Sequence, residues 1–529
     1  QGMSIVAINN YLKNGIMRSR FHREPIVKAA EILLEEKRQT YFISISRKGY
    51  TIDINKRGKY TEDALSARYV NSIAPKIPAV NYISNGNYSL LITSDGDGFS
   101  NCKGMMLHRW RADIYADTGN YIYIKDTEEN KLWSVAYKPT KTEPDKYRVV
   151  FSPHQTEFTR RDGDIGTHTI VSLSPDQNLE IRKITLKNFG NDEKYLEITS
   201  YMEVVADSYS AELGHPAFNK LFIESEYLEK GNVFLSGRRM GRSGHGMYVM
   251  QTVKSEIAIN SIEYENDRMR FIGRNNTLQN PIAVTGSIPL SNNTGFSSDP
   301  IMSLRVKTCL KPEQNVSIAF ITGTCETKEE ALRISDKLSL GYKIDDIIEK
   351  FRQQSLMELK YLNITGRQLN AFQNLISPIY YPLGAYRGPV ESIRRNWKNQ
   401  SFLWRFGVSG DNSIMLLRVD SIKEIAIIRE VLKAFEYMRI NRVNVDLIIL
   451  SEAKHGYAQE LTNLLSEMTS SLKIYDEDKE RPSIFVIHSY QMNPAELDLL
   501  FTVARIVISA DTGIYFRTIK TDLISVVED

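Results

Sequence analysis

From about Ala79 to Thr324 the chain alternates apolar and polar residues with period two, in short runs broken by Gly, Asn and Pro. Runs of this kind are Tyr121–Lys125, Leu132–Tyr137, Tyr147–Phe151, His168–Leu173, Leu179–Leu186, Tyr195–Val205, Leu221–Ser225, Met247–Val253 and Val316–Thr322. Turn-forming stretches such as Asn188–Asn191 and Glu229–Asn232 separate them. The series is longer than the ~7–9 strands of an immunoglobulin-type sandwich. It predicts two large antiparallel sheets packed face to face.

The flanks have a different period. Ile5, Val6, Ile8, Leu12 and Ile16 are spaced for a helix over 3–18, and Pro25 opens a second through Leu34. Tyr41–Ser46 and Gly49–Ile54 alternate like strands, and 55–75 is polar enough to be a connector. After the β region, Thr327 is a predicted N-cap with Glu330 completing a capping box. Helices follow over Lys328–Leu340, Ile344–Leu362 and Gly366–Tyr380, stopping before Pro382. Strands at Ser413–Val419, Val445–Leu450, Ser483–His488 and Arg505–Ser509 then alternate with helical segments, the pattern of a small parallel sheet. The expected class is multi-domain α+β, divided as 1–75, 76–325, 326–398 and 399–529.

With 42% apolar and 25% charged residues in 529, the chain has the composition of a globular protein. A formal charge of +3 gives no electrostatic reason to expect nucleic acid or an anionic membrane as partner. No apolar run reaches the ~18–20 residues needed to span a bilayer. Cys102, Cys309 and Cys325 are odd in number and widely separated, which supports neither a disulfide framework nor a zinc site and fits a reducing cytoplasm. The chain begins at Gln1 inside a helical pattern, and reads as a fragment of a longer protein.

Candidate chemistry concentrates in Ser84–Cys102 and Leu107–Asp113. Asp95–Gly98 is the turn of a predicted hairpin; it lacks the downstream spacing of a calcium loop. Arg109, Trp110 and Arg111 follow, with two readings. One is an aromatic face with fixed multidentate donors, suited to a sugar; the other is a core tryptophan between two solvated arginines. His215, within the small-residue stretch Asp207–Asn219, is a loop candidate at a sandwich rim. Arg160–Asp164 carries two carboxylates but reads as a polar turn. Gly407–Asp411 fails the nucleophile-elbow pattern because Asp411 replaces the final Gly. No phosphate-cradling glycine motif occurs.

Ser84–Tyr88, His108–Asp113, Tyr123–Asp126, Trp133–Tyr137, Arg160–Asp164, Ser200–Val205 and His215–Phe218 occur in one order. Together they resemble the β-supersandwich of glycosyltransferase family thirty-six, now grouped with glycoside hydrolase family ninety-four, a galactose-mutarotase-like fold. Gln1–Ile5, Phe21–Pro25 and Asn399–Asp411 extend the likeness to the carboxy-terminal part of cyclic β-1,2-glucan synthases. The resemblance implies making or phosphorolysing β-glucosidic bonds, with inorganic phosphate or sugar phosphate as co-substrate and no resident cofactor or metal. The family's general acid lies in an (α/α)6 barrel, which has not begun by Asp529, so no catalytic residue is carried over. Arg109, Trp110, Arg111 and His215 remain substrate-binding candidates. The implied partners are a β-glucan or oligosaccharide, the barrel and a preceding domain, and a second copy of the chain. A free-standing carbohydrate-binding or scaffolding protein is the alternative.

Overall fold

Strand Lys194–Ser208 shares its edges among three partners. One edge of its first half pairs antiparallel with Asn120–Asp126, and the other edge with Pro300–Leu310. Its last residues pair with Met105–His108, which leads on to the hairpin Tyr88–Thr93/Gly98–Cys102 and to Val80–Ser84. These strands belong to a nine-stranded sheet, and a ten-stranded antiparallel sheet faces it, both counted among the described residues. The computed structural model describes residues 2–13, 15–21, 67–73, 75, 78–239, 245–256, 261–286, 288–339, 344–453, 458–473 and 482–514.

Alternation explains the layering, because successive side chains in a strand point to opposite faces. In strand Asn315–Cys325 the inner residues Val316, Ile318 and Phe320 join a core with Ile122, Ile124, Met302 and Leu304 of the opposite sheet. The outer residues Ala319, Ile321 and Cys325 pack under Ile334, Leu338, Ile347 and Ile348, from helices Lys328–Ser339 and Ile344–Tyr361. Part of the outer face of each sheet is apolar as well, and there it takes a cover. Over the nine-stranded sheet the cover comes from 268–290, where Phe271, Ile272, Val284 and Leu290 bury Tyr121, Tyr123 and Tyr201. That stretch includes the helices Arg268–Ile272 and Ile282–Thr285, which interrupt the otherwise β region.

Several local expectations are corrected. Thr327 does accept from the Glu330 N–H (3.1 Å), but the Glu330 carboxylate takes the Glu326 N–H instead of closing a capping box. A complete box forms one helix later, between Thr365 and Gln368. Arg68–Val70, within the predicted connector, is a strand paired with Lys146–Phe151. Of the stretch Arg160–Asp164, Gly163 and Asp164 make the expected turn, whereas Arg160–Asp162 are the end of strand Gln155–Asp162. The buried Arg160 guanidinium grips Asp162 (2.6 and 2.7 Å) and the Ala136 carbonyl (2.6 Å), so that carboxylate serves packing.

Helix Gly366–Tyr380 joins the supersandwich to the α/β module. Its buried Gln373 donates to the Tyr82 carbonyl and the Tyr437 hydroxyl, both at 2.8 Å, and accepts from the Tyr82 N–H (3.0 Å). The module's four strands are all parallel, in the order Ile484–His488, Val445–Ser451, Ser413–Val419, Ala504–Ile508. Gly407–Asp411 is a turn into the third of these, with Gly407 and Gly410 at positive φ.

A separate compact unit comprises Gln1–Lys56 and Leu464–Lys479. The predicted helix over 3–18 is two helices there, Gly2–Leu12 and Ile16–Phe21, divided at Gly15 (φ +76°). The predicted helix after Pro25 and the strands over 41–54 lie outside the described residues. Among the described residues no helix is long and apolar enough to cross a membrane.

Candidate functional site

After His108 the chain leaves its strand while the Arg109 N–H still donates to the Glu203 carbonyl (2.8 Å). Arg109 then bridges two acids, contacting the Glu203 carboxylate closely and donating to Glu212 at 2.8 Å. Arg111 reaches the same Glu212 oxygen at 3.1 Å and its own neighbour's carbonyl, that of Trp110, at 3.0 Å. Glu203 also accepts from Arg268 (2.7 Å) and the Tyr201 hydroxyl (2.9 Å). Burial works against ionisation of Glu203, but Arg109 and Arg268 outweigh it and hold its carboxyl below the usual range. Arg109 and Arg111 are therefore both committed to carboxylates of the chain. Their shared acid, Glu212, lies in the short helix Tyr209–Gly214, which they tie to the sheet.

Trp110 points the opposite way. It is 3% exposed and packs against Phe99, Tyr209, Tyr380 and Tyr381, with ring centroids 5.1–6.0 Å apart. Of the two readings of this residue, the geometry is that of a core ring, with no open face to stack on a sugar. The Trp110 Nε1–H and the Tyr381 hydroxyl are both buried without an aligned hydrogen-bond partner. His215 is exposed at the junction between helices Tyr209–Gly214 and Pro216–Lys220. Among the described residues its imidazole makes no hydrogen bond or ion pair. Arg109, Trp110 and Arg111 are thus joined to the 209–214 helix through Glu212 and Tyr209, while His215 ends that helix with its ring free.

Beyond Tyr381 opens a cleft of ≈ 460 Å³, lined among others by Thr93, Asp95, Asp97, Ile114, Tyr115, Tyr137, Lys138 and Lys141. The hairpin Asp95–Gly98 forms one wall. Gly98 has φ +147°, and a Cβ there would lie 1.9 Å from the Leu91 carbonyl oxygen, so only glycine fits. Lys138, 6% exposed, is the centre of the site. Its ammonium donates to Asp97 (3.2 Å) and to the carbonyls of Ile114 (3.2 Å) and Ala116 (3.0 Å). Asp95 and Asp117 stand 3.6 and 3.8 Å away. Burial pushes the Asp97 carboxyl up to about 7, with Lys138 opposing that rise, and Asp95, Asp97 and Asp117 together raise Lys138 against its own burial. Sequence reading placed the hairpin but missed Lys138, Tyr115 and Tyr381. The Trp133–Tyr137 motif, ending one residue before Lys138, was the available signal.

No group of acidic, histidine or cysteine side chains among the described residues is arranged to hold a metal ion.

Residues 66–340, more than half the chain, match the family model described as glycosyl hydrolase 94, supersandwich domain. The chain belongs to that family. A cyclic beta-(1,2)-glucan synthase, NdvB of Rhizobium meliloti (strain 1021), is 29% identical over 520 residues, 97% of this glycosyl hydrolase 94 chain and 18% of the synthase. Solabiose phosphorylase of Paenibacillus borealis is 21% identical over 295 residues, 55% of the chain and 37% of that enzyme. A putative aldose 1-epimerase of Escherichia coli K12 superposes over 99% of its own chain and 47% of this one, with TM-score 0.27 and 8% identity. The chain therefore spans less than a fifth of the synthase and little more than a third of the phosphorylase.

Proposed function

We infer that this chain is the non-catalytic supersandwich portion of a β-glucan-active enzyme of the cyclic β-1,2-glucan synthase kind, and supports glucan binding and glucosyl transfer in the intact enzyme. The observation carrying this reading is the extent of similarity. Alignment with the synthase covers 97% of the chain, linker helices and α/β module included, whereas alignment with solabiose phosphorylase covers 55%. On this reading the supersandwich occupies 76–325, the helical linker 326–398 and the α/β module 399–529, with 1–75 the tail of a preceding domain. Arg109 and Arg111 act as positioning residues, holding the helix that ends at His215. Phosphate or a sugar phosphate would be handled by the intact enzyme's catalytic domain. A cytoplasmic workplace is part of the same proposal.

Incubating the purified chain with β-1,2-glucooligosaccharides and inorganic phosphate tests the reading. No glucose 1-phosphate is expected, and steady release would overturn the non-catalytic assignment.

A further inference from the structure

The last strand of the α/β module is irregular at Arg505. Ala504 pairs with Ile414 and Ile506 with Met415, so Arg505 is an extra residue with no partner across the ladder. Such a bulge re-aims the side chain it carries. Ala504, Ile506 and Ile508 are buried, whereas Arg505 is partly exposed, on the strand that ends the described sheet. Residues 384–389 of the linker press onto the chain just before this strand. A Cβ on Gly388 would stand 2.9 Å from both the Cβ and the carbonyl oxygen of Phe501. The preceding residue, Arg387, donates from Nη2 to the Thr502 carbonyl. Two guanidinium groups from distant parts of the chain thus meet at the start of one strand, near Tyr209 of the supersandwich.

Neither charge is neutralised. Among the described residues Arg505 makes no hydrogen bond or ion pair, and Arg387 makes only its side-chain bond to Thr502. Arg387 Nη1 and the three Arg505 nitrogens keep accessible surface; Arg387 Nε alone is enclosed. Burial and then the Arg387 charge pull Arg505 below the ordinary arginine value, with Tyr209 opposing. Glu212, in the helix that begins at Tyr209, is already shared by Arg109 and Arg111. We propose that Arg387 and Arg505 form a binding site for a phosphate group, with the Tyr209 hydroxyl beside it. Two unmatched positive charges suit a dianion better than a single carboxylate. Guanidinium groups also present paired N–H donors that fit the oxygens of phosphate. Burial pushes the Tyr209 phenol up, against Arg111 and Arg505, so the hydroxyl keeps a proton to donate. A cation is repelled, and a nucleic acid would require a longer basic stripe than two arginines.

The site stands independently of the glucan reading above. Calorimetric titration of the full chain and its Arg505→Gln variant with inorganic phosphate tests it, at an ionic strength held constant with sodium chloride. Saturable binding is expected for the unaltered chain and roughly tenfold weaker binding for the variant, the scale of one charge-assisted hydrogen bond. Methyl phosphate as a second titrant separates the sources. Affinity equal to that of inorganic phosphate assigns the site to a phosphate ester, and a clear loss assigns it to free phosphate. Because Arg505 makes no bond within the chain, Arg505→Gln without phosphate should unfold at the same urea concentration as the unaltered chain or a higher one. Added phosphate should then stabilise the unaltered chain alone. No saturable binding, an equal response of both chains, or a variant already weakened without phosphate would overturn the site.

Discussion

Replacing Lys138 with methionine tests the interior of the hairpin site most sharply. The change keeps the bulk of the side chain but removes the cation facing Asp97 at 3.2 Å and the donor to two backbone carbonyls. Asp97 is 3% exposed and cannot turn to water, so the acid is left buried without its countercharge. Removing one partner of such a pair costs about 3–5 kcal/mol. At about 2–4 °C per kcal/mol for a domain of this size, the melting temperature should fall by roughly 6–20 °C. The loss should depend on pH. Asp97 has a folded pKa of about 7, above its ordinary value of 3.8, so its protonated form is favoured in the folded state. Its contribution to stability is fully present below about pH 4 and is lost as pH rises through 7. Lys138→Met should therefore be milder at pH 5, where Asp97 binds a proton, than at pH 8. Adding Asp97→Asn should recover much of the loss at pH 8, because no buried charge is then left alone. The assay is urea denaturation followed by tryptophan fluorescence at both pH values. Equal losses at pH 5 and pH 8, or no recovery in the double variant, would refute the coupling.

Two further outcomes follow from the packing. Trp110→Ala should destabilise the chain by about 3–5 kcal/mol, and Trp110→Phe by much less, since the indole N–H makes no aligned bond; an unchanged unfolding midpoint for Trp110→Ala would show that the ring is not core. Gly98→Ala places a Cβ 1.9 Å from the Leu91 oxygen at a φ few residues tolerate, and should cost about 3 kcal/mol or more, read as loss of amide protection across Tyr88–Cys102.

The layered fold was legible because alternation is a local property: Val316, Ile318 and Phe320 announce one face before any partner strand is known. The helices over 268–290 were hidden because they are one turn or so long and carry no strong periodicity; their form is fixed by the tyrosines they cover. The turn at Gly163–Asp164 was legible but was begun too early, at Arg160, because a charged pair looks exposed until the carbonyls that satisfy it are seen, and the Ala136 carbonyl is 24 residues away. Trp110 posed the same difficulty. Arginines on both sides suggested exposure, yet a strand leaving its sheet sends neighbours to opposite sides, the charges to Glu203 and Glu212 and the ring to the interior. The Lys138–Asp97 pair spans 41 residues, beyond any local pattern.

The three-way pairing of Lys194–Ser208 also sets the order in which the chain can assemble. The segments that flank its first half come from opposite directions in time: Asn120–Asp126 is made before it, and Pro300–Leu310 long after. At translation rates of about 5–20 residues per second, a strand ending near residue 208 waits roughly 5–20 s for its second neighbour to be made. Throughout that interval one row of its amides and carbonyls is an open edge, able to pair with any extended segment nearby. The nascent protein is most vulnerable to aggregation in the window before residue 310 emerges, and shielding of that edge by a chaperone should matter more for its yield than the stability of the finished sheet.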